Sequence, residues 1–419
     1  MSISVSRFFL LAAREVRHTL FPRPLSKHCI LQPRDIEQLQ SYVRVRGGLP
    51  MLRKKLESHT CRIAYFGTSV TAQRHGFRPY LHRKIERFSG QKHTQIRAGF
   101  GGFDAINASY FFHDRVLSRG PDLCFLDFSI AEFQVSSVGR YGEVIEMIVR
   151  SLLDRNCSVC FLHMLHTCPS ERTPFWEALC GEYERIADHY NIPSIDIAGY
   201  LQSFFASGRV GVEEIFRDIV HVRDDNRAGD FLAEIIFQGF LHLLRDELAQ
   251  QLPPLQRTSL YQIEKREPIF LRMREEFLVN KSLYKKKKFW SYTYYEIGAD
   301  NEICFRCPGE CEGILCVAGE DSGFIAVQHG DDVSEYSVWD QWCHYDRVRA
   351  RMIVPIPSYS SEPIRLRLTD KAIDYSQCRR KLRCTHRLHK KLKIIGFLCR
   401  AAPYKGCAIL LLGCFLFGC

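Results

Sequence analysis

The chain has 419 residues, 46% of them hydrophobic and 25% charged, with a formal net charge of +11. That composition excludes a disordered chain, and the length suits a catalytic domain plus one or two smaller units. Ten cations and no Asp or Glu lie between Ser376 and the C-terminus, leaving only +1 of the +11 on residues 1–375, so the charge is not the surface of a nucleic-acid-binding protein and no nucleic-acid partner is expected.

Residues 1–57 read as a helical leader broken at Pro22 and Pro24. Its first apolar run is too short, and too soon interrupted by charge, for a secretory signal. The 18 cysteines are scattered without a compact framework, the usage of reduced thiols in a cytoplasmic protein. From 58 to 250, short β-like runs alternate with helical stretches, as in an α/β domain with a parallel sheet. Strands are predicted at 63–66, 95–98, 123–128, 158–164 and 194–197. Helices are predicted at 78–88, 141–155, 174–190 and 228–247, where apolar residues recur at helical spacing.

Residues 251–288 read as a charged linker holding Pro253-Pro254 and the run from Lys285 to Lys288. Residues 289–375 carry short aromatic and β-branched runs between turn signals and read as a small all-β, sandwich-like module. Its aromatic residues Phe289, Trp290, Tyr292, Tyr294, Tyr295, Trp339 and Trp342 are expected to form its core. Residues 376–419 read as a basic, then apolar tail. The final apolar run, 407–419, falls short of the roughly 20 residues needed to cross a bilayer and is read as a terminal helix. Peripheral attachment of 376–419 to an anionic membrane is the second reading.

Chemistry is concentrated at the ends of the predicted strands, where open α/β sheets place their sites. The apolar run 61–71 closes in Gly67-Thr68-Ser69. A serine hydroxyl is a weak nucleophile until a base takes its proton, and an imidazole is a good base when a carboxylate fixes its tautomer. Asp218-Ile-Val-His221 supplies both groups. Its spacing of three lets the carboxylate reach Nδ1 and leaves Nε2 for Ser69. A glycine-rich turn, Ala98-Gly-Phe-Gly-Gly102-Phe-Asp, follows the second strand, and Asp127-Phe-Ser-Ile-Ala131-Glu132 follows the third.

These four blocks resemble those of the SGNH/GDSL hydrolase superfamily, in particular its bacterial, polysaccharide-associated members, over roughly residues 60–248. The resemblance implies a flavodoxin-like three-layer α/β/α domain. It also implies a nucleophile at Ser69, a base and its carboxylate at His221 and Asp218, and an oxyanion hole from the N–H groups of Ser69 and Gly102. Two positions depart from the pattern: Thr68 stands where the family has an aspartate, a mild change, and Ala131 stands where the family has an asparagine that donates to the oxyanion. Losing such a donor costs about 3–4 kcal/mol of transition-state stabilisation. Either Ser129, Gln134 or Asn107 replaces it, or the two backbone N–H groups act alone.

The implied activity is that of a serine esterase or deacylase acting through an acyl-enzyme, with an acylated carbohydrate as the substrate class. A polysaccharide O-acyltransferase and a non-catalytic carbohydrate-binding protein with a degenerate site are the alternatives. No metal or organic cofactor is implied. His163 and His166 are expected at the end of the fourth strand. Cys304, Cys307, Cys311 and Cys316 lack the paired C-x2-C knuckles of a structural zinc site and read as core thiols, and Cys384-x-His386-x2-His389 is an equally weak metal signal.

Overall fold

A computed structural model of the chain describes residues 30–130, 138–167, 174–224, 227–245, 258–261, 268–279, 284–299, 301–307, 309–340, 342–357, 362–378 and 390–401. The chain divides into two compact units, Met1–Ile263 and Glu264–Cys419.

The first unit is built on a six-stranded sheet. Its strands are β1 (Val43–Arg44), β2 (Arg62–Gly67), β3 (Thr94–Gly99), β4 (Leu123–Asp127), β5 (Ser158–His163) and β6 (Ser194–Asp196), in the order β1-β6-β5-β4-β2-β3. The last five are mutually parallel, and their order is that of the flavodoxin-like sheet. Both faces of the central strands are covered, which is why β2, β4 and β5 read as continuous apolar runs, whereas the edge strand β3 exposes Thr94 and Arg97. Ile63, Tyr65, Leu123 and Phe125 share a core with Phe77, Leu81 and Ile85 of helix Phe77–Ser89 and with Ile235, Ile236 and Phe240 of helix Ala228–Leu243. On the opposite face, Phe66 packs edge-on to Phe128, and Phe161 packs edge-on to Tyr183 of helix Pro174–Tyr190.

The predicted strands and helices are found close to their expected places, with one displaced end. Ile197, expected to finish the fifth strand, begins a helix, Ile197–Ala206, because the Asp196 side chain accepts a hydrogen bond from Gly199 N–H at 2.8 Å and caps it. The described part of residues 1–57 holds helix Pro33–Gln40 and all but the last residue of helix Pro50–Ser58, packs into the first unit's core through Leu39, Leu52 and Leu56, and adds a short strand the sequence reading did not expect. Val43 and Arg44 pair antiparallel with β6 as an edge strand. Arg46 then bonds the carboxylates of Glu184 and Asp188, each at 2.6 Å, and locks this segment to helix Pro174–Tyr190.

The second unit is an antiparallel β-sandwich. One sheet has the order β10-β15-β12-β13, from β10 (Glu302–Phe305), β12 (Phe324–His329), β13 (Asp332–Ser337) and β15 (Ile364–Thr369). The other runs β14-β11-β16-β9-β8, from β8 (Tyr284–Phe289), β9 (Tyr292–Ile297), β11 (Gly309–Ala318), β14 (Arg347–Ile356) and β16 (Leu392–Ala401), and β7 (Pro268–Arg272) also pairs with β16. Ile303, Ile325 and Leu366 of the first sheet meet Ile314, Ile394 and Phe397 of the second in one buried core.

Three expectations change here. The 251–288 segment is not all linker, since β7 and all but the last residue of β8 lie within it. The 376–419 segment is not all tail, since Leu392–Ala401 is an interior strand; 407–419, Cys384, His386 and His389 lie outside the described residues. Tyr294, Tyr295 and Trp339 are buried as expected, but Trp290 is 78% exposed at the turn between β8 and β9, where its φ is +53°.

Candidate active site

The order of the parallel strands sets the site. The chain leaves β2 toward β3 on one side and returns to β4 on the other, so the segments that follow β2 and β4 part above the sheet and open a crevice at their carboxyl ends. Gly67 ends β2 opposite Asp127, which ends β4. A Cβ on Gly67 would lie 2.6 Å from both the Asp127 carbonyl oxygen and Thr71 Oγ1, so glycine is needed for the close approach of these backbones. Thr68 then caps a single helical turn, Ser69–Ala72, by accepting from Val70 N–H at 3.3 Å. Ser69 is the first residue of that turn and points into the crevice toward His221.

His221 Nε2 lies 2.7 Å from Ser69 Oγ, and its Nδ1 lies 2.9 Å from Asp218 Oδ2. Asp218 Oδ1 accepts in addition from the backbone N–H groups of Val220 and His221 at 3.0 and 2.7 Å. Burial works against the Asp218 charge, but the His221 ring and these N–H groups outweigh it and hold the carboxyl down at about 2. The serine, histidine and aspartate that the sequence separates are therefore brought together, with the imidazole held between a hydroxyl and a fixed anion.

The loop carrying His221 is tied at both ends. Phe216 and Val222 form an isolated antiparallel bridge, and Thr167 N–H donates to the Ile219 carbonyl at 2.8 Å. Gln73, one turn after Ser69, donates from Nε2 to the Val222 carbonyl at 2.6 Å and to Asp224 Oδ1 at 2.9 Å. This residue couples the serine turn to the histidine loop, and sequence reading missed it. The only signal was its place four residues after Ser69, on the same side of a helical turn.

Gly102 lies in the turn after β3 with φ of +73°, a left-handed conformation that favours glycine. β3 runs parallel to β2 with Gly99 beside Gly67, which places this turn alongside the serine turn. Of the groups considered as substitutes for the absent asparagine, Ser129 is fully buried and directs its hydroxyl to the Leu162 carbonyl. Asn107 is also buried and donates its backbone N–H to Asp104 at 2.8 Å. Ala131 and Gln134 lie outside the described residues.

Asp127 is a second unforeseen member. Its Oδ2 accepts from Thr71 Oγ1 at 2.8 Å and Thr68 Oγ1 at 3.4 Å, directly beneath the serine turn. Burial dominates over these bonds and the His163 charge, and lifts its carboxyl to about 7. His163 stands at the end of β5, as expected. Its Nε2 bonds Glu184 at 2.5 Å, so it belongs to the ion cluster that anchors Arg46.

No family model and no curated protein matches the chain. Among solved structures it is similar to a two-domain esterase active on acetylated mannans, with a TM-score of 0.64 at 14% identity over 86% of this chain and 99% of that one. The same esterase co-crystallised with mannopentaose gives a TM-score of 0.62 at 15% identity, over 87% of this chain and 100% of that one. An acetyl xylan esterase aligns with 42% of this chain and 97% of its own, at 18% identity and a TM-score of 0.37. The chain thus shares the fold of that two-domain esterase, a flavodoxin-like α/β unit followed by an antiparallel β unit.

Proposed function

We propose that the protein is a serine esterase that removes acyl groups, acetyl foremost, from an acylated carbohydrate. The observation that carries this reading is the 2.7 Å contact between Ser69 Oγ and His221 Nε2, with Asp218 fixing the other ring nitrogen. Ser69 Oγ attacks the ester carbonyl carbon as its proton passes to His221 Nε2, and the Asp218 carboxylate stabilises the imidazolium. The N–H groups of Ser69 and Gly102 receive the oxyanion. Collapse breaks the bond to the sugar oxygen, which takes the proton from His221, and water then repeats the sequence on the acyl-enzyme. The carbohydrate part of the proposal draws support from the mannan esterase, which shares both parts of the fold.

The test is acetate release by the purified full chain from p-nitrophenyl acetate and from acetylated mannan, with a fluorophosphonate as active-site label. Label on wild type but not on Ser69→Ala, and turnover lost in His221→Ala, are the expected results. A folded wild type that takes no label and releases no more acetate than His221→Ala would overturn the proposal.

A further inference from the structure

The cysteine pattern of the β unit resolves into a grouping the spacing did not suggest. Cys304 and Cys316 stand apart. Cys307, from the connection between β10 and β11, and Cys311, on β11, converge with Cys399 of β16, and the three sulfurs all lie within 4.8 Å of one another. Cys311 and Cys399 are paired residues of adjacent antiparallel strands, so their side chains leave the sheet on one face. A bulge in β11 falls just after Cys311, between it and Gly313, a device that re-aims side chains. Cys307 closes the triangle, with its sulfur 2.8 Å from that of Cys399.

We propose that Cys307, Cys311 and Cys399 form a three-thiolate site for a soft divalent cation, Zn²⁺ fitting best, with the fourth position open to solvent on the Cys307 side. Tetrahedral zinc with Zn–S bonds of about 2.3 Å holds its sulfurs about 3.8 Å apart. That spacing falls within the observed 4.8 Å span, and Cys307 needs to draw back from Cys399 by about an ångström to reach it. Cys311 and Cys399 are buried whereas Cys307 is partly exposed, which gives the ion an entry path and leaves one position for water or an exogenous donor. Soft thiolate donors without carboxylate or imidazole select zinc or copper(I) over magnesium or calcium. Binding releases the three thiol protons to solvent and transfers no electrons. A disulfide would use two of the sulfurs and leave the third against it, whereas a metal uses all three.

The test is a Co²⁺ titration of the reduced full chain, read by thiolate-to-cobalt charge-transfer absorption and by displacement with Zn²⁺. One equivalent bound, with the absorption lost in Cys307→Ser and kept in Cys304→Ser, is the expected result. Reduced wild type that takes up neither ion, or Cys307→Ser that binds as wild type does, overturns the site. Because a serine variant could fail to fold, alkylation by iodoacetamide is followed in wild type by mass spectrometry. Zinc should slow modification of Cys307, Cys311 and Cys399 and leave Cys304 unaffected. Equal rates with and without zinc, or a disulfide that forms in preference to metal uptake, also overturn it.

Discussion

Ser69 is placed by the backbone of its helical turn, where Gln73 N–H donates to its carbonyl at 3.0 Å, and the groups around its hydroxyl divide the work by their surroundings. Asp218 keeps its charge because two N–H groups and an imidazole face it, so Asp218→Asn should leave the fold intact and lower kcat by roughly 10⁴, as expected when the ring loses its tautomer. Turnover of p-nitrophenyl acetate at fixed pH measures this. Asp127 does the opposite: it is enclosed, and its carboxyl is lifted to about 7. An unfolded aspartate releases its proton near pH 4, so between roughly pH 4 and pH 7 the folded state holds a proton that the unfolded state has lost. Stability should fall as pH rises through that window, by as much as about 4 kcal/mol. Asp127→Asn should remove that slope, which urea denaturation at pH 5 and pH 8 of both proteins would show. A variant that keeps the wild-type slope would assign it elsewhere, with Asp104, also buried and raised to about 6, the first alternative.

Among the elements, the one-turn helix Ser69–Ala72 and the loop 217–224 form the site, and Gln73 joins them. Gln73→Ala should let the histidine loop shift relative to Ser69 and cut kcat by up to about a hundredfold while KM for a small ester stays nearly constant. An equal loss in KM would show that Gln73 contacts substrate instead. Gly99 is the packing counterpart: a Cβ there would sit 2.3 Å from Ala72 N, so Gly99→Ala should displace the serine turn and lower both activity and thermal stability.

How much of this was legible in the sequence follows from which interactions are local. The central strands β2, β4 and β5 announce themselves because both faces are buried, and Asp218 and His221 because one loop holds both. β1 has two residues and leaves no periodicity to read. β16 was hidden behind a run of cations, and its partners β9 and β11 lie far back in the chain. For the same reason Cys399 could not be associated with Cys307 and Cys311 by spacing.

At the scale of the whole molecule, the two units have separate cores, one around Tyr65 and Phe125, the other around Ile314 and Phe397. Differential scanning calorimetry should resolve two transitions, with the fluorophosphonate adduct shifting the first unit's and zinc the second's. A single transition moved by both would show that the units unfold together. The described helices include none long and apolar enough to cross a membrane. Finally, β16 is the last of the described strands in chain order, yet it lies between β11 and β9 and also holds β7. Ribosomes deliver the N-terminus first, so a nascent polypeptide that has emerged only as far as β15 has every strand of the first unit but leaves the edges of β7, β9 and β11 open. Emergence of Leu392–Ala401 closes that sheet and supplies the third thiol in the same step, which makes completion of the β unit a late stage of biogenesis.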